Sequence, residues 1–468
     1  SRLLRFEDSS KCFLVMLSPN ATTAEERRLA SKVANFKGAV ETNKTLLQRD
    51  NQCRARRYSR LSENSLDKDS EELVKEFAEK ERQRLVAQSK RWSTDDFETV
   101  RIIGQGAFGT VHLVKRRGTE EFYAMKQMSK ADFTLKNSRE RIFAERNILA
   151  EARSKWFVTL HFAFQDSDNV FMVMEFLQGG DLIFHLIEKQ KFTFEQTRFY
   201  MGELLEALDT VHQHGFVHRD VKPDNIVLTA QGHLKLLDFG LCKHTCPIRE
   251  ELAPATKAKA TITLDIDEEP ESISQRRKQL KSHVGTPQYM APEVWSCAYG
   301  CEADIWSLGV LTFECLVGHV PFHAGEKQGI EMIKIVAEKI RRHVELVPRL
   351  LARAKEKGLL TTTTMTFIQK ILTHGDQRLN AQQCREDPFF FGLDFTRLHS
   401  MRPPIVPEMV LKDASDTAFF DSFDDDESVA HKGTLPPDTA GYSVNKKDAS
   451  LEWSGYEFNL TAELARSS

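Results

Sequence analysis

Residues 218–225 hold the side chains with the clearest chemical use in this chain, in the order His-Arg-Asp-Val-Lys-Pro-Asp-Asn. Asp220 could accept the proton of a hydroxyl group or orient that hydroxyl. Lys222 could neutralise charge on a phosphoryl group in transfer, and Asn225 offers an amide oxygen to a metal ion. Asp238, in Asp-Phe-Gly, adds a carboxylate, and Mg²⁺ prefers such oxygen ligands. These residue types in this order indicate phosphoryl transfer assisted by a metal ion.

A glycine-rich segment at residues 104–111, Gly-Gln-Gly-Ala-Phe-Gly-Thr-Val, lies between two predicted strands. Glycine has no Cβ, so such a segment lets the backbone approach phosphates closely. Alone the pattern is weak, because dinucleotide-binding folds share it and an ordinary β-turn explains it about as well. Here a strand follows it and not a helix, which disfavours a dinucleotide-binding fold.

Lys126 lies in the next predicted strand but one, in Tyr-Ala-Met-Lys. A lone lysine in a strand usually faces solvent. A lysine placed one strand beyond a phosphate-binding loop could instead hold the α and β phosphates of a nucleotide, provided that a carboxylate on a helix orients it. Glu145, in Phe-Ala-Glu-Arg, is the candidate partner.

The elements that must position these residues change character along the chain. Beyond Gly180, apolar residues three and four apart predict helices as far as residue 211, and a long apolar helix is predicted over 304–317. Before Gly180, short β-branched and aromatic runs predict antiparallel strands at 97–104, 109–116, 121–128 and 170–176. A strand-rich lobe followed by a helix-rich lobe indicates an α+β fold.

The composition argues against some classes of function. The 65 Lys and Arg residues nearly balance the 68 Asp and Glu residues, which disfavours a nucleic-acid protein dominated by phosphate contacts. No apolar run approaches the ~20 residues that span a bilayer, so no transmembrane segment is expected. Eight cysteines scattered over 468 residues indicate free thiols in a reducing compartment, so we expect the cytoplasm, with the nucleus as a second location. Zinc binding remains an alternative for Cys242, Cys246, Cys297 and Cys301.

The segments outside the two lobes have a composition of their own. Residues 1–20 have no clear period and are predicted to be disordered, whereas residues 21–95 carry helical periodicity. The charge over residues 44–60 is one-sided, with six basic residues against Asp50, and this face is either a solvated surface or a site for an acidic partner. Residues 247–281 hold an acidic run and then a basic run, and are predicted to form a flexible insert.

Five elements occur in a fixed order: the glycine-rich segment, Lys126, residues 218–225, Asp-Phe-Gly at 238–240, and Ala-Pro-Glu at 291–293. Together they match the protein-kinase signature set, and the chain resembles a eukaryotic protein kinase over residues 97–395. That resemblance implies a two-lobed fold, with an N-lobe at 97–177 that combines an antiparallel sheet with helix C, and a helical C-lobe at 178–395. Lys222, and Gly-Thr-Pro-Gln-Tyr at 285–289, resemble the serine/threonine class.

The resemblance implies ATP and Mg²⁺ as cofactors, protein substrates, and transfer of the γ-phosphate to Ser or Thr. The catalytic residues would be Asp220, Lys222, Asn225, Lys126, Glu145 and Thr286. Metal ligands would be Asn225 and Asp238. ATP would be contacted by Ile103, Gly104, Gln105, Gly106, Ala107, Phe108, Gly109, Val111, Ala124, Lys126, Met174, Glu175, Leu177, Asp181 and Val227. Leu149, Leu160, His218 and Phe239 would stack as a regulatory spine, and Glu293 would pair with Arg378.

Residues 396–468 resemble the C-terminal tail of AGC kinases, through a PxxP segment at 404–407, Phe-Phe-Asp-Ser-Phe at 419–423 and Trp-Ser-Gly-Tyr-Glu-Phe at 453–458. The last of these implies that Trp453, Tyr456 and Phe458 dock on the N-lobe. The insert and the basic extension resemble the NDR/LATS branch. That branch implies a MOB-like co-activator bound by residues 21–95 and an upstream kinase that phosphorylates Ser282.

Substrates with basic residues upstream of the acceptor are also implied, recognised by exposed carboxylates at Asp181, Asp224 and Glu314. The chain departs from the family in residues 326–364, which match poorly, at Gln288 in place of an acidic residue, and at Glu457 in place of a phosphorylatable one. None of these departures removes a catalytic group. The alternative function is a catalytically weak, pseudokinase-like scaffold that binds the co-activator.

Overall fold

The structure is a computed structural model that describes residues 91–106, 109–133, 136–244, 287–296, 300–325, 327–421, 453 and 456–460. All of these residues lie in the second of the two units into which the chain divides, Ala87–Ser468. The expectations for residues 1–90, for the insert at 247–281, and for Ala107, Phe108, Ser282 and Thr286 lie outside the described residues.

An antiparallel sheet forms the first lobe, with its strands in the order β1-β2-β3-β5-β4-β10. The expected strands are confirmed, and the structure adds two more, β4 and β10. Four of the six positions of β4 are buried, so it lacks the alternation that marks a half-buried strand. The strands are β1 Phe97–Gly106, β2 Gly109–Arg116, β3 Phe122–Ser129, β4 Leu160–Gln165, β5 Asn169–Glu175 and β10 Phe458–Asn459.

One aromatic cluster covers a face of this sheet. The ring of Trp92 stacks on Phe162 with 3.9 Å between centroids, and the guanidinium of Arg116 lies 5.1 Å from the Trp92 ring. Phe97 and Phe164 lie parallel at 6.0 Å. These aromatic contacts join β1 to β4, which are not neighbours in the sheet, so they stiffen the whole lobe.

Helix α1, Lys136–Glu151, packs with the first lobe, and the second lobe is mainly helical. Its helices are α2 Leu182–Lys189, α3 Phe194–Gln213, α4 Glu302–Val317, α5 Gly329–Arg341, α6 His343–Glu356, α7 Thr362–Ile371 and α8 Ala381–Arg385. The α+β prediction is therefore confirmed. The region that matches the family poorly contains α5, α6 and the start of α7. Within the described ranges, none of the helices combines the length and the apolarity that crossing a membrane requires.

Helices α3 and α4 form the centre of the second lobe. The hydroxyl of Thr193 accepts from the Gln196 N–H at 3.2 Å, and the Gln196 side chain accepts from the Thr193 N–H at 3.0 Å. This capping box starts α3. Helix α4 is buried along nearly its whole length. A Cβ at Gly309 would lie 2.5 Å from Cγ2 of Ile371, so glycine is what lets α7 approach α4 this closely.

Two short antiparallel strand pairs lie between the helices, and the segments beside them carry the residues with candidate chemical roles. Strand β6, Phe216–Val217, pairs with β9, Lys243–His244. Strand β7, Ile226–Leu228, pairs with β8, Leu234–Leu236. Residues 218–225 connect β6 to β7, and residues 237–242 connect β8 to β9, so both chemical motifs run between the β6–β9 pair and the β7–β8 hairpin.

The start of the C-terminal tail, residues 401–421, returns over the second lobe to the junction between the lobes. The Gln178 amide donates to the carbonyl of Asp413 at 2.7 Å. The guanidinium of Arg101, on β1, donates to the hydroxyl of Thr417 at 3.0 Å. The tail therefore contacts both lobes.

Aromatic residues anchor this part of the tail beside the interlobe segment. The Phe420 ring lies 5.5 Å from Phe176, which follows β5. The Phe419 ring lies 5.6 Å from Phe184 of α2. Residues 419–423 resemble the segment of AGC kinases that packs beside the nucleotide, and these ring contacts place Phe419 and Phe420 against the interlobe segment and α2.

Candidate active site

The β7–β8 hairpin brings Asn225 and Asp238 to one end of the cleft. Ile226 lies opposite Leu236 in the register of the hairpin, and the Leu237 N–H donates to the carbonyl of Asn225 at 2.8 Å. Because Asn225 and Leu237 are bonded across the open end, the two predicted metal ligands leave the hairpin side by side.

Asp220 lies at the centre of a small hydrogen-bonded group. Its Oδ2 accepts from the Lys222 ammonium at 2.8 Å and from the Asn225 amide at 2.9 Å. The same amide donates to the carbonyl of Asp220 at 2.8 Å. Burial alone would lower the pKa of Lys222, but the carboxylates of Asp220, Asp224 and Asp238 together raise that pKa above its usual value. The sequence grouping of these three residues is thus also a spatial grouping.

The backbone around Asp220 is strained and needs support. Arg219 has φ 68° and Asp238 has φ 56°, a region that side chains other than glycine rarely adopt. The buried carboxylate of Asp304, on α4, accepts from the His218 and Arg219 N–H groups, both at 2.8 Å. Burial opposes ionisation of Asp304, but the hydrogen bond from His212 and the neighbouring positive charges hold its pKa below the usual value. Sequence reasoning missed Asp304, whose signal is a carboxylate inside an otherwise apolar helix.

Lys126 pairs with Glu145, as predicted. The Lys126 Nζ lies 2.8 Å from Oε1 of Glu145 and 3.9 Å from Oδ1 of Asp238. Burial would lower the pKa of Lys126, but the two carboxylates raise it above its usual value. Burial would also raise the pKa of Asp238, yet Lys126 and the Gly240 N–H keep it below the usual value. Both groups are therefore charged at neutral pH.

The residues predicted to surround a purine lie at paired strand positions within each of the two lobes. Lys126 lies opposite Val111 across β2–β3, and Ala124 lies opposite Met174 across β3–β5. From the second lobe, Val227 bridges to Asp181, whose carboxylate caps α2 by accepting from the Phe184 N–H at 2.8 Å.

The remaining residues expected to contact ATP lie at the ends of β1 and β5 and at the start of β2. Ile103, Gly104, Gln105 and Gly106 end β1, and Glu175 ends β5, with the buried Leu177 just beyond it. At Gly109, φ is 126° and a Cβ would lie 2.1 Å from the Gln127 carbonyl. Glycine is therefore required where the glycine-rich segment enters β2.

A family model described as the protein kinase domain matches residues 97–390. This chain belongs to the protein kinase family. The matched residues contain every hairpin, lysine and carboxylate of the site described above, so the resemblance seen in the motifs extends over both lobes.

Comparison with known kinases shows which branch of the family this chain belongs to. The probable serine/threonine-protein kinase ndrB of Dictyostelium discoideum is 33% identical over 424 residues, covering 86% of this chain and 76% of the relative. The serine/threonine-protein kinase CBK1 of Pneumocystis carinii is 34% identical over 419 residues, covering 84% and 80%. The serine/threonine-protein kinase tricornered of Drosophila pseudoobscura pseudoobscura is 37% identical over 387 residues, covering 79% and 82%. The chain is thus an ATP-binding serine/threonine-protein kinase of the NDR branch of the AGC group.

The predicted spine of the kinase is buried at all four positions, Leu149, Leu160, His218 and Phe239. The rings of His218 and Phe239 lie 5.1 Å apart, and the His218 Nε2 lies 3.0 Å from the carbonyl of Leu237. Phe157 also packs on Phe239 at 5.1 Å, a contact that the sequence did not indicate.

The predicted pair between Glu293 and Arg378 is present. Nη1 of Arg378 donates to Glu293 at 2.5 Å and to the carbonyl of Glu302 at 2.6 Å. Nη2 donates to the carbonyl of Thr373 at 2.8 Å. The Arg378 side chain is fully buried, so these bonds join the Ala-Pro-Glu motif to the core of the second lobe.

The expectation that Glu314 offers an exposed carboxylate is wrong. Glu314 lies inside α4 with no exposed surface, and its Oε2 accepts from the Tyr289 hydroxyl at 2.6 Å. Asp181 and Asp224 are half-buried. Of the three residues that the sequence suggested, Asp181 and Asp224 are therefore the two that keep some exposure to solvent.

The end of the tail docks on the first lobe of the kinase. Trp453 and Tyr456 are buried and their rings pack on Phe143 of α1, at 5.8 and 5.6 Å. Phe458 lies opposite Ala163 as β10 pairs with β4. Docking predicted for Trp453, Tyr456 and Phe458 is confirmed, and α1 also carries Glu145.

Glu457 has a specific partner in this docked tail. The Gln165 amide donates to its Oε1 at 2.8 Å and to the Trp453 carbonyl at 2.9 Å. The Lys130 ammonium donates to Gln165 Oε1 at 2.8 Å. Lys130 thereby fixes the orientation of the Gln165 amide, with its N–H groups toward the tail.

Proposed function

We propose that this kinase transfers the γ-phosphoryl group of ATP to Ser or Thr hydroxyls of protein substrates, assisted by Mg²⁺. The observation that carries the proposal is the Asp220 carboxylate, held by hydrogen bonds from Lys222 and Asn225. Only donors contact its Oδ2 in these bonds, so Oδ1 can accept from an incoming hydroxyl. Asp220 orients that hydroxyl and receives its proton.

The other proposed roles follow from charge and position. Lys222 bridges Asp220 and the place of the acceptor, where its ammonium can neutralise negative charge on the phosphoryl group. Lys126, kept in place and charged by Glu145, binds the α and β phosphates. The cleft walls described above hold the purine. Thr286, proposed to contact Asp220, lies outside the described residues.

Asn225 and Asp238 fit a magnesium ion by the chemistry of their donors. Asp238 is ionised, because Lys126 holds its pKa down against the effect of burial. The Asn225 amide nitrogen is committed to Asp220, which turns its oxygen outward as a neutral ligand. Hard oxygen donors are what Mg²⁺ selects. When bound, the ion would neutralise charge on the phosphates.

Peptide substrates test the proposed function. Asp181 and Asp224 at the cleft attract cations, so we expect peptides with Arg or Lys upstream of Ser or Thr to be phosphorylated with at least about tenfold higher kcat/KM than peptides with upstream Glu. A peptide-library screen with labelled ATP measures this, with matched peptides that differ at those positions alone. A preference for acidic or proline-directed sites would refute the proposal.

Two regulatory inputs are also proposed, a MOB-type co-activator bound by the basic residues of 44–60 and phosphorylation of Ser282 by an upstream kinase. The support is charge: six basic residues suit an acidic partner, and a phosphate adds about −1.5 to −2 charges that Arg219 could receive. Kinase activity with and without a purified MOB co-activator tests both. Arg56→Glu with Arg57→Glu should abolish the stimulation, and Ser282→Ala should lower activity in both conditions. Full stimulation of the charge-reversed variant would contradict the proposed co-activator site. Full activity of Ser282→Ala would contradict the proposed role of Ser282.

The proposed compartment is the cytoplasm, with the nucleus as a second location. Its support is that the described cysteines, Cys242, Cys301, Cys315 and Cys384, are free thiols, as expected in a reducing compartment. Microscopy of the tagged protein tests this, and a secreted or membrane-enclosed signal would contradict it.

Docking of the tail on α1 is proposed to sustain activity, since α1 also carries the partner of Lys126. Glu457→Ala removes one charge-assisted hydrogen bond and should lower kcat by about two- to fivefold. Phe458→Ala also loses packing and should lower kcat by about tenfold. Glu408→Ala, an exposed carboxylate of the same tail, is the matched control and should behave like wild type. Equal kcat in all four proteins would mean that docking of the tail does not affect catalysis.

A further inference from the structure

The segment that links the two lobes, residues 175–180, is fixed at its far end by backbone bonds. The Gly179 N–H donates to the carbonyl of Leu228 at 3.0 Å, and the Leu228 N–H donates to the carbonyl of Gly180 at 2.9 Å. A Cβ at Gly179 would lie 2.5 Å from the Leu228 oxygen. This end of the linker is therefore attached directly to β7.

The near end of the linker is fixed by a side chain. Oε1 of Glu175 accepts from the Thr159 N–H at 2.7 Å and from the Lys235 ammonium. The Glu175 N–H donates back to the Thr159 carbonyl at 3.0 Å. The Lys235 side chain is only 13% exposed and that of Glu175 26% exposed, so solvent screens this ion pair less than a surface pair.

Lys235 belongs to β8, which is hydrogen-bonded both to the loop before β4 and to β7. The Leu236 N–H donates to the Trp156 carbonyl at 2.8 Å, and the Val158 N–H donates to the Leu236 carbonyl at 3.2 Å. On the other side, Lys235 lies opposite Val227 in the β7–β8 register. The ion pair therefore closes a loop of contacts from the linker through β8 to Val227.

We propose that Lys235 is a positioning residue for the nucleotide. By pairing with Glu175 it sets the distance between the linker and Val227, and so the width of the slot that receives the adenine ring. Lys235 itself does not touch the nucleotide and acts through Glu175. This inference rests on the proposed function in one respect, that the nucleotide occupies this cleft.

Loss of the pair should weaken nucleotide binding without slowing the chemical step. Lys235→Met should raise both the Kd for ADP and the KM for ATP by about tenfold, the loss expected for a charge-assisted hydrogen bond. The kcat should stay within about twofold of wild type, since binding common to ground and transition states is lost. Lys235→Arg keeps the charge and should restore most of the affinity.

Isothermal calorimetry with ADP and Mg²⁺ on the full chain measures this binding without any phosphotransfer. Lys327→Met is the matched control, because it removes a lysine–glutamate pair with Glu331 in which the two side chains are 49% and 63% exposed. The double variant Glu175→Gln with Lys235→Met should bind ADP no worse than the weaker single variant, because the two side chains act as one unit.

Unchanged ADP affinity in Lys235→Met, with the thermal melting point of wild type, would overturn the proposal. So would a rise in kcat, which would mean that the pair restrains the lobes and does not position the nucleotide. Equal weakening in Lys327→Met would also overturn it. Failure of the proposed function would look different, as wild-type protein that binds ADP yet transfers no phosphate to any peptide.

Discussion

Asp220→Asn is expected to lower kcat by about 10²- to 10⁴-fold, the range for loss of a positioned general base. The structure gives the reason, since Oδ2 of Asp220 receives two donors, from Lys222 and Asn225. An asparagine that keeps its oxygen on those donors turns its NH₂ group toward the substrate hydroxyl, where an acceptor is needed. An asparagine that flips places its NH₂ against the Lys222 ammonium.

The measurement for Asp220→Asn is kcat with a peptide substrate, together with the Kd for ADP by calorimetry. Because Asp220 is not among the residues that line the purine, the Kd should stay within about twofold of wild type. Asp376→Asn, an exposed aspartate of the second lobe, makes the same chemical change away from the site. A kcat near the wild-type value in Asp220→Asn would remove Asp220 from the mechanism.

Asp238→Ala is expected to lower kcat by about 10²- to 10³-fold, as for loss of a group that stabilises charge in the transition state. It removes the one charged oxygen ligand proposed for Mg²⁺. It also removes the carboxylate 3.9 Å from the Lys126 ammonium, one of the two that raise the pKa of that lysine. The ammonium should then rely on Glu145 alone.

A second measurement on Asp238→Ala, the effect of Mg²⁺ on the Kd for ADP, does not depend on turnover. In wild type, Mg²⁺ should tighten ADP binding, whereas in Asp238→Ala the Kd for ADP should be the same with and without Mg²⁺. Asp376→Ala is the control for loss of a carboxylate at an exposed position. If Mg²⁺ still tightened ADP binding in a folded Asp238→Ala protein, the metal site assigned here would be wrong.

Residues that act within one short segment were predictable from the sequence. Asp220, Lys222 and Asn225 lie so close in the chain that any turn brings them together, and the structure bonds them directly. The strands β1, β2, β3 and β5 follow from local β-branched and aromatic runs. Such local features can be predicted from the sequence, because they do not depend on which distant segment packs beside them.

Pairs between distant segments were predictable only where a phosphate-binding motif or a family resemblance supplied them. Lys126 with Glu145, and Glu293 with Arg378, are such pairs. Neither the motifs nor the resemblance predicted that the Asp304 carboxylate supports the backbone at His218, or that Phe157 packs on Phe239. Their neighbours lie far away in the chain, and a sequence pattern records burial of a face but not what covers it.

The sequence by itself determined the residue types for phosphoryl transfer, the α+β class and the aromatic anchors of the tail. Tertiary structure alone decided that Glu314 is buried against Tyr289, that the tail adds β10 to the sheet, and that Lys235 holds Glu175. The physical reason is common to all three. The sequence of a charged residue or of an edge strand is the same whether that residue or strand faces water or packs against another part of the protein. Only the packing of the folded chain determines which of the two occurs.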